Sequence, residues 1–176
     1  MHGRKVKATI TAADTSAPVD WAVVYEVHGP DVFAFLRRSL GSEALAEDVL
    51  HDTFVRALRA RTRPALDSVR PWLFTIAANL AISQHRRSRL LAFLPFTDDA
   101  PSRAEPYDAG SELVRRALRT IPRDQAVTLT LALHEGYTRR EIAQMLSMSE
   151  EGVKSRLARG RRNFAAAYRS LDRGSQ

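Results

Sequence analysis

Residues Gly136–Phe164 read GYTRREIAQMLSMSEEGVKSRLARGRRNF, and the fold follows from this stretch. Gly136 suits a left-handed stop for a preceding helix, because it carries no Cβ to clash. Thr138, with Glu141 three positions on, has the form of a capping box: the hydroxyl accepts the Glu141 amide and the carboxylate reaches back. Ile142, Ala143 and Leu146 then share the inner side of a short helix. Ser147-Met148-Ser149 forms a tight turn, and a second helix starts near Glu150. At about 100° per residue, Val153, Leu157, Gly160 and Phe164 fall on one narrow inward face. Glu151, Ser155, Arg159 and Arg162 lie roughly opposite, flanked by Lys154, Arg156 and Arg161. A short capped helix, a tight turn and a longer basic helix make the helix-turn-helix layout. Arg can bridge two acceptors on guanine, Ser can bond either way, and flanking cations hold phosphates, so the second helix suits a major-groove reader. The same charges on an isolated helix would mark only a solvated surface; the capped helix and turn ahead of them favour recognition.

Around this stretch, the 176-residue chain divides at changes of composition into a tail (1–19), a helical block (20–90), a linker (91–110) and a second helical block (111–176). Their formal charges are +2, +2, −3 and +6, which make up the net +7. The pI near 10.5 suits a polyanionic partner. An arginine-rich coding bias would raise the total, but would not give the linker the opposite sign to the last block. The linker holds Pro95, Pro101, Pro106 and Gly110, which punctuate rather than propagate helix. No alternating strand pattern and no internal repeat is visible. The expected fold is all-α: two small helical domains joined by a flexible linker, the C-terminal one containing the helix-turn-helix.

In the first block, Gly29-Pro30 predicts a break, with Pro30 placed to restart the helix. Gly41 suits a C-cap and Ser42 the next N-cap. Ala46, Val49, Leu50, Thr53, Phe54, Ala57 and Leu58 keep a helical rhythm. That leaves Glu47, Asp48, His51 and Asp52 on the other faces, where they serve either helix solubility or docking of a basic partner. Pro64 and Pro71 bracket a loop, after which a helix carries Leu73, Ile76, Ala77 and Leu80 inward and ends in the basic run His85–Arg89. Trp72 near its start could stack an exposed base or simply join the core. Asn79 is open to similar readings.

Several classes are excluded. With no cysteine, disulfides and thiolate zinc sites are impossible, and a reducing cytoplasm is the plain expectation. No apolar run approaches the ~18 residues of a membrane span, and residues 1–16 lack an apolar signal core. The five histidines show no metal-ligand spacing. No phosphate loop or nucleophile motif occurs, so neither cofactor, metal nor catalytic residue is expected.

Two stretches carry a family resemblance. Ala46-Glu47-Asp48-Val49-Leu50-His51-Asp52-Thr53-Phe54 with Trp72–Ala81 resembles domain two of bacterial RNA polymerase sigma factors. Ile121-Pro122, Gly136-Tyr137, Glu141-Ile142-Ala143 and Val153-Lys154-Ser155-Arg156-Leu157 resembles domain four. A chain with these two domains alone resembles the extracytoplasmic-function (ECF) group. The resemblance implies a promoter-directing protein whose partners are core RNA polymerase, promoter DNA and an anti-sigma factor. It implies that Glu47, Asp48, His51 and Asp52 dock on the core's clamp helices. It implies that Arg61, Arg63, Arg70, Trp72, Asn79, Arg86 and Arg87 melt and hold the minus-ten element, with a base flipped from the stack. Thr138, Glu151, Lys154, Ser155, Arg156, Arg159 and Arg162 would meet the minus-thirty-five duplex, and the acidic linker would follow the RNA exit path. The chain departs from the group's usual residues at His51 and Asp52 (Gln and Glu), at Ser83 (Asp), at Ser147 (Gly) and at Glu151-Gly152 (Gly-Thr). Gly152 has no hydroxyl to offer a phosphate or base. A free-standing helix-turn-helix regulator that works without polymerase is the rival that needs only the C-terminal reader.

Overall fold

The structure, a computed structural model, describes residues 20–61, 64–65, 68–91 and 109–174; side chains are described up to Ser83 and from Glu112. Seven α-helices make up the described residues: α1 (Trp21–Leu40), α2 (Glu43–Arg59), α3 (Val69–Leu91), α4 (Ala109–Thr120), α5 (Arg123–Leu133), α6 (Arg139–Met145) and α7 (Glu150–Arg173). The linker stretch 92–108 lies outside them.

Asp20 caps α1, accepting from the amides of Ala22 at 2.9 Å and Val23 at 3.4 Å. Contrary to the break expected at Gly29-Pro30, α1 runs straight through Pro30. An interior proline removes a hydrogen bond and costs about 3 kcal/mol. Beyond it, however, Val32, Phe35, Leu36 and Leu40 are all at most 2 % exposed, and each such side chain contributes about 1.5–3 kcal/mol. Packing therefore outweighs the local penalty. Gly41 closes α1 at φ 68°, its amide bonding Arg37 O, and Ser42 opens α2 by accepting the Leu45 amide.

In α2 the buried residues are Ala46, Val49, Leu50, Thr53, Phe54 and Ala57. Leu58, which the periodicity placed inward, is exposed; the inward stripe of the last turn is already filled by Ala57 and Phe54. Pro71 also differs from expectation: it sits in the first turn of α3 rather than before it. Amides there have no helical partner, so a missing one is tolerated. Leu73, Phe74, Ala77, Ala78, Leu80 and Ala81 line the inner side of α3, whereas Ile76 is only partly buried. The helices α1, α2 and α3 pack on one another as one unit, and α4, α5 and α6 all pack on α7.

The central element is α5. Gln125 to Leu131 are buried without interruption, because α5 touches α1 and α3 as well as α4, α6 and α7. A helix enclosed on every face must satisfy its polar groups internally. Thr128 and Thr130 do so by donating to Asp124 O at 2.6 Å and Ala126 O at 2.9 Å, and Gln125 Oε1 accepts from Asn163 at 2.8 Å. The two helical units are thus in direct contact.

Gly160 brings α7 onto α5: a Cβ there would lie 3.2 Å from both Leu129 Cγ and Cδ1. Overpacking such a site costs typically about 1–3 kcal/mol. Gly160→Leu is expected to fall in that range in urea unfolding, whereas an unchanged midpoint would show that α7 is free to lift from α5.

Candidate nucleic-acid interface and docking face

The helix-turn-helix forms as its residues require. Gly136 adopts φ 78°. Thr138 N donates to Glu141 Oε2 at 2.7 Å, and the Thr138 hydroxyl accepts the Glu141 amide at 3.3 Å, completing the capping box of α6. The Thr138 hydroxyl, which also donates to Glu141 Oε2 at 2.7 Å, and then the Thr138 amide hold the exposed Glu141 carboxyl below its ordinary value. Ser147 takes φ 50° in the turn, and Ser149 caps α7 by accepting the Gly152 amide at 3.0 Å. Val153, Leu157 and Gly160 are buried and Phe164 packs at the edge of the core.

That seating turns the opposite face of α7 to solvent. Glu151, Lys154, Ser155, Arg159 and Arg162 are all exposed. Lys154 pairs with Glu151 at 3.2 Å, an exposed contact of the kind worth little. Arg159 Nε donates to Ser155 O at 3.4 Å. Arg156 behaves differently: its side chain is 22 % exposed and its Nε lies 3.3 Å from the Asp124 carboxylate of α5. Thr138 and Arg156 thus hold the reader in place, while the others face outward.

On α2, Glu47, Asp48 and His51 are exposed and Asp52 half-buried, a contiguous polar strip around a helix whose other side is core. Arg61 is exposed just beyond α2. Trp72 is partly buried against the core, its ring centroid 6.4 Å from that of Trp21. Arg63 and the side chains of Arg86 and Arg87 lie outside the described residues.

Arg70 and Asn79 are drawn to the second unit. Arg70 donates to Glu135 Oε2 at 3.2 Å and to the Tyr137 hydroxyl at 3.1 Å, lies 3.5 Å from Asp31 and covers the Phe74 ring at 4.4 Å. Asn79 Nδ2 donates to Thr75 O at 2.8 Å and Met145 O at 2.9 Å. Glu135 also pairs with Arg38 at 3.2 Å, and Arg123 donates to Ser39 O at 2.8 Å and Leu40 O at 2.7 Å. Burial raises the Tyr137 hydroxyl above its ordinary value, and burial followed by the Arg70 charge lowers His28. Sequence periodicity gave no sign of the roles of Glu135, Tyr137, Arg38 and Arg123, because these residues meet only when the two units pack.

Among the described residues, all helical in their regular structure, a capped helix-turn-helix with a basic outward face on its second helix stands beside a three-helix unit, which is the layout of a nucleic-acid reader. Comparison with known proteins makes this specific. Residues 24–90 match the family model "Sigma-70 region 2" and residues 111–164 match "Sigma-70, region 4". The chain is 36 % identical over 140 residues to the RNA polymerase sigma factor CarQ of Myxococcus xanthus, covering 76 % of this chain and 80 % of that protein. It is 28 % identical over 153 residues to the ECF sigma factor SigM of Bacillus subtilis, covering 82 % and 93 %. The fold resembles that of the sigma factor RpoE in a co-crystal with the anti-sigma factor NepR from Bartonella quintana (TM-score 0.62, 23 % identity, 85 % and 97 % covered). The chain belongs to the sigma-70 family, in its group of ECF RNA polymerase sigma factors. It binds core RNA polymerase and DNA and directs transcription initiation, with no enzymatic activity of its own. The free-standing regulator is thereby set aside. Among the described residues no helix is long and apolar enough to cross a membrane.

The capping box yields a test with a defined sign. Because the folded Glu141 carboxyl titrates below its ordinary 4.5, its contribution is complete above that value and drains away as pH falls through the lowered folded value. In Thr138→Ala, NMR titration is expected to return Glu141 toward 4.5, and α6 amides to exchange faster at neutral pH. An unmoved Glu141 titration would show that the box contributes nothing in solution.

Proposed function

We propose that this sigma factor docks on core polymerase through Glu47, Asp48, His51 and Asp52 of α2, and reads its promoter with two separate helices. The reader for the minus-thirty-five duplex is α7. The observation that carries this is its two-sidedness: Val153, Leu157 and Gly160 are buried, while Lys154, Ser155, Arg159 and Arg162 are exposed. Arg159 and Arg162 suit guanine edges or phosphates, Ser155 bonds either way, and Lys154 suits a phosphate. Glu151, beside Lys154, can accept from a cytosine amino group. Thr138 and Arg156 act mainly by holding α6 and α7 in register.

The minus-ten element falls to α3 and the segment before it, through Arg61, Arg63, Arg70, Trp72, Asn79, Arg86 and Arg87. Holding single strands favours the open state, so binding energy drives melting while the polymerase does the chemistry. Mounting both readers on one core makes promoter spacing part of what is recognised, and two modest contacts act jointly. The working boundaries are 20–90 for region two, 91–110 for the acidic linker and 111–176 for region four. An anti-sigma factor, such as the one bound to the similar RpoE, is the further partner, and the cysteine-free composition supports work in the cytoplasm.

Run-off transcription with bacterial core polymerase and a library of genomic promoter fragments tests the docking face. Discrete starts are expected with the native chain, and Asp48→Lys with Asp52→Lys is expected to reduce them at least about tenfold, since charge pairs of this kind carry several kcal/mol at desolvated interfaces. Undiminished starts in the charge-reversed chain would place core binding elsewhere.

A further inference from the structure

We propose that the C-terminal end of α7 makes a second contact with DNA, in which Arg169 and Arg173 grip phosphates of the duplex beyond the minus-thirty-five element. The proposal rests on the reading of α7 as the minus-thirty-five helix and adds to it a contact that reads no sequence.

The helix-turn-helix accounts for α7 only as far as Phe164, yet the helix continues to Arg173. Its last turns are seated on the rest of region four. Phe164 and Ala167 pack at the edge of the core, and the Phe164 and Tyr168 rings lie 6.0 Å apart. Ala167, Ser170 and Leu171 share a groove with Thr120, Ile121 and Pro122 of the α4–α5 junction. The inward stripe that orients the reader therefore also orients the end of the helix. At about 100° per residue, Arg162, Arg169 and Arg173 fall within about 40° of one another, on the line that carries Glu151 and Ser155. All three arginines are exposed. Ala158, Ala165 and Ala166, on or beside this line, are exposed too, so the face stays low enough for a sugar-phosphate chain to approach.

These charges are uncommitted. Among the described residues, the ion pairs of α7 are Lys154 with Glu151 and Arg156 with Asp124, and Arg162, Arg169 and Arg173 have none. Arg169 Nε donates to Ala165 O at 3.1 Å and Arg173 Nε to Arg169 O at 3.2 Å. That lays each side chain along the helix, in the pose of Arg159 on Ser155 O, and leaves the Nη1 and Nη2 groups for an outside acceptor. Cations near a helix C-terminus complement its dipole. The dipole explains positive charge in the last turns, but not its alignment with the reading face.

The length of the helix decides what the two arginines meet. Base edges are reached by the N-terminal residues of a recognition helix. At 1.5 Å per residue, Arg169 and Arg173 lie about 29 and 35 Å along the axis from Glu150, against a major groove about 12 Å wide. A straight helix cannot follow a winding groove over that distance, so its far end rises to the phosphate chain. Guanidinium groups suit phosphate oxygens, and such contacts position a protein without carrying sequence information.

Holoenzyme assembled with the native chain and with Arg169→Ala plus Arg173→Ala tests the contact, on a promoter fragment with long duplex on both sides of the element. The slope of log affinity against log salt is expected to shrink by about 2, close to one for each phosphate released. Affinity at about 0.1 M salt is expected to fall about tenfold, while Arg169→Lys plus Arg173→Lys keeps most of both. Circular dichroism checks that helix is retained, which Ala favours at least as well as Arg. The loss is expected to be the same factor on promoters with altered minus-thirty-five bases, whereas Arg159→Ala plus Arg162→Ala levels the differences among them. Ethylation interference is expected to mark phosphates outside the element in the native complex that no longer interfere in the Arg169→Ala, Arg173→Ala complex. An unchanged salt slope would overturn the contact. So would a weaker complex with an unchanged interference pattern, which would give these arginines to an acidic protein surface instead. Differences among minus-thirty-five sequences that persist in the Arg159→Ala, Arg162→Ala chain would overturn the reader itself, so the two failures can be told apart.

Discussion

Seven consecutive residues of α5, Gln125 to Leu131, are buried, so this stretch of the helix has no side left for water. A helix in that position must be enclosed by partners on every face, and here the partners come from both halves of the chain. α7 takes one side, with Gly160 laid against Leu129. α1 and α3 take another, and the short span after α5 carries Glu135 into the gap between Arg38 and Arg70. The orientation of the reading helix and the contact between the two regions are therefore consequences of one enclosed element.

The two kinds of contact differ in character. Within each region the core is made by residues such as Phe35, Leu36, Phe74, Leu131 and Val153, all fully buried, and apolar burial of this sort contributes most of the favourable free energy of folding. Across the seam between the two regions the apolar cluster continues from α1 and α3 to α5, and polar contacts such as those of Glu135 and Arg123 border it. Exchanging such groups with water costs little net free energy, while leaving one unpaired costs more. Glu135 with two arginines is consequently better suited to specifying one arrangement than to holding it permanently.

Much of this was legible in the sequence because it is local. Thr138 and Glu141 are three residues apart, Gly41 caps α1, Gly136 makes the left-handed turn just past α5, and the inward stripe of α7 repeats along one chain; each gave the same answer in structure. The misses are places where distant packing overrode a local rule. Pro30 sits inside α1 because Val32, Phe35 and Leu36 bury beyond it, and Pro71 lies in a first turn that needs no amide. Leu58 kept the rhythm of α2 but fell outside the core. In the site, the outward residues of α7 and the acidic strip of α2 could be named from periodicity. The engagement of Arg70, Asn79 and Arg156 could not, since their partners Glu135, Met145 and Asp124 lie dozens of residues away and share no period with them.

One chain, on this reading, supplies a duplex reader and a strand-separating reader to the same polymerase. Footprinting of a promoter bound by core polymerase and this protein tests that directly. Protection of the minus-thirty-five duplex is expected together with permanganate-reactive thymines at the minus-ten element, neither of which appears with the core alone. The upstream protection is expected to be lost in Arg159→Ala with Arg162→Ala. Upstream protection that survives those changes, or protection with no reactive thymines in the native complex, would contradict the two-reader mechanism.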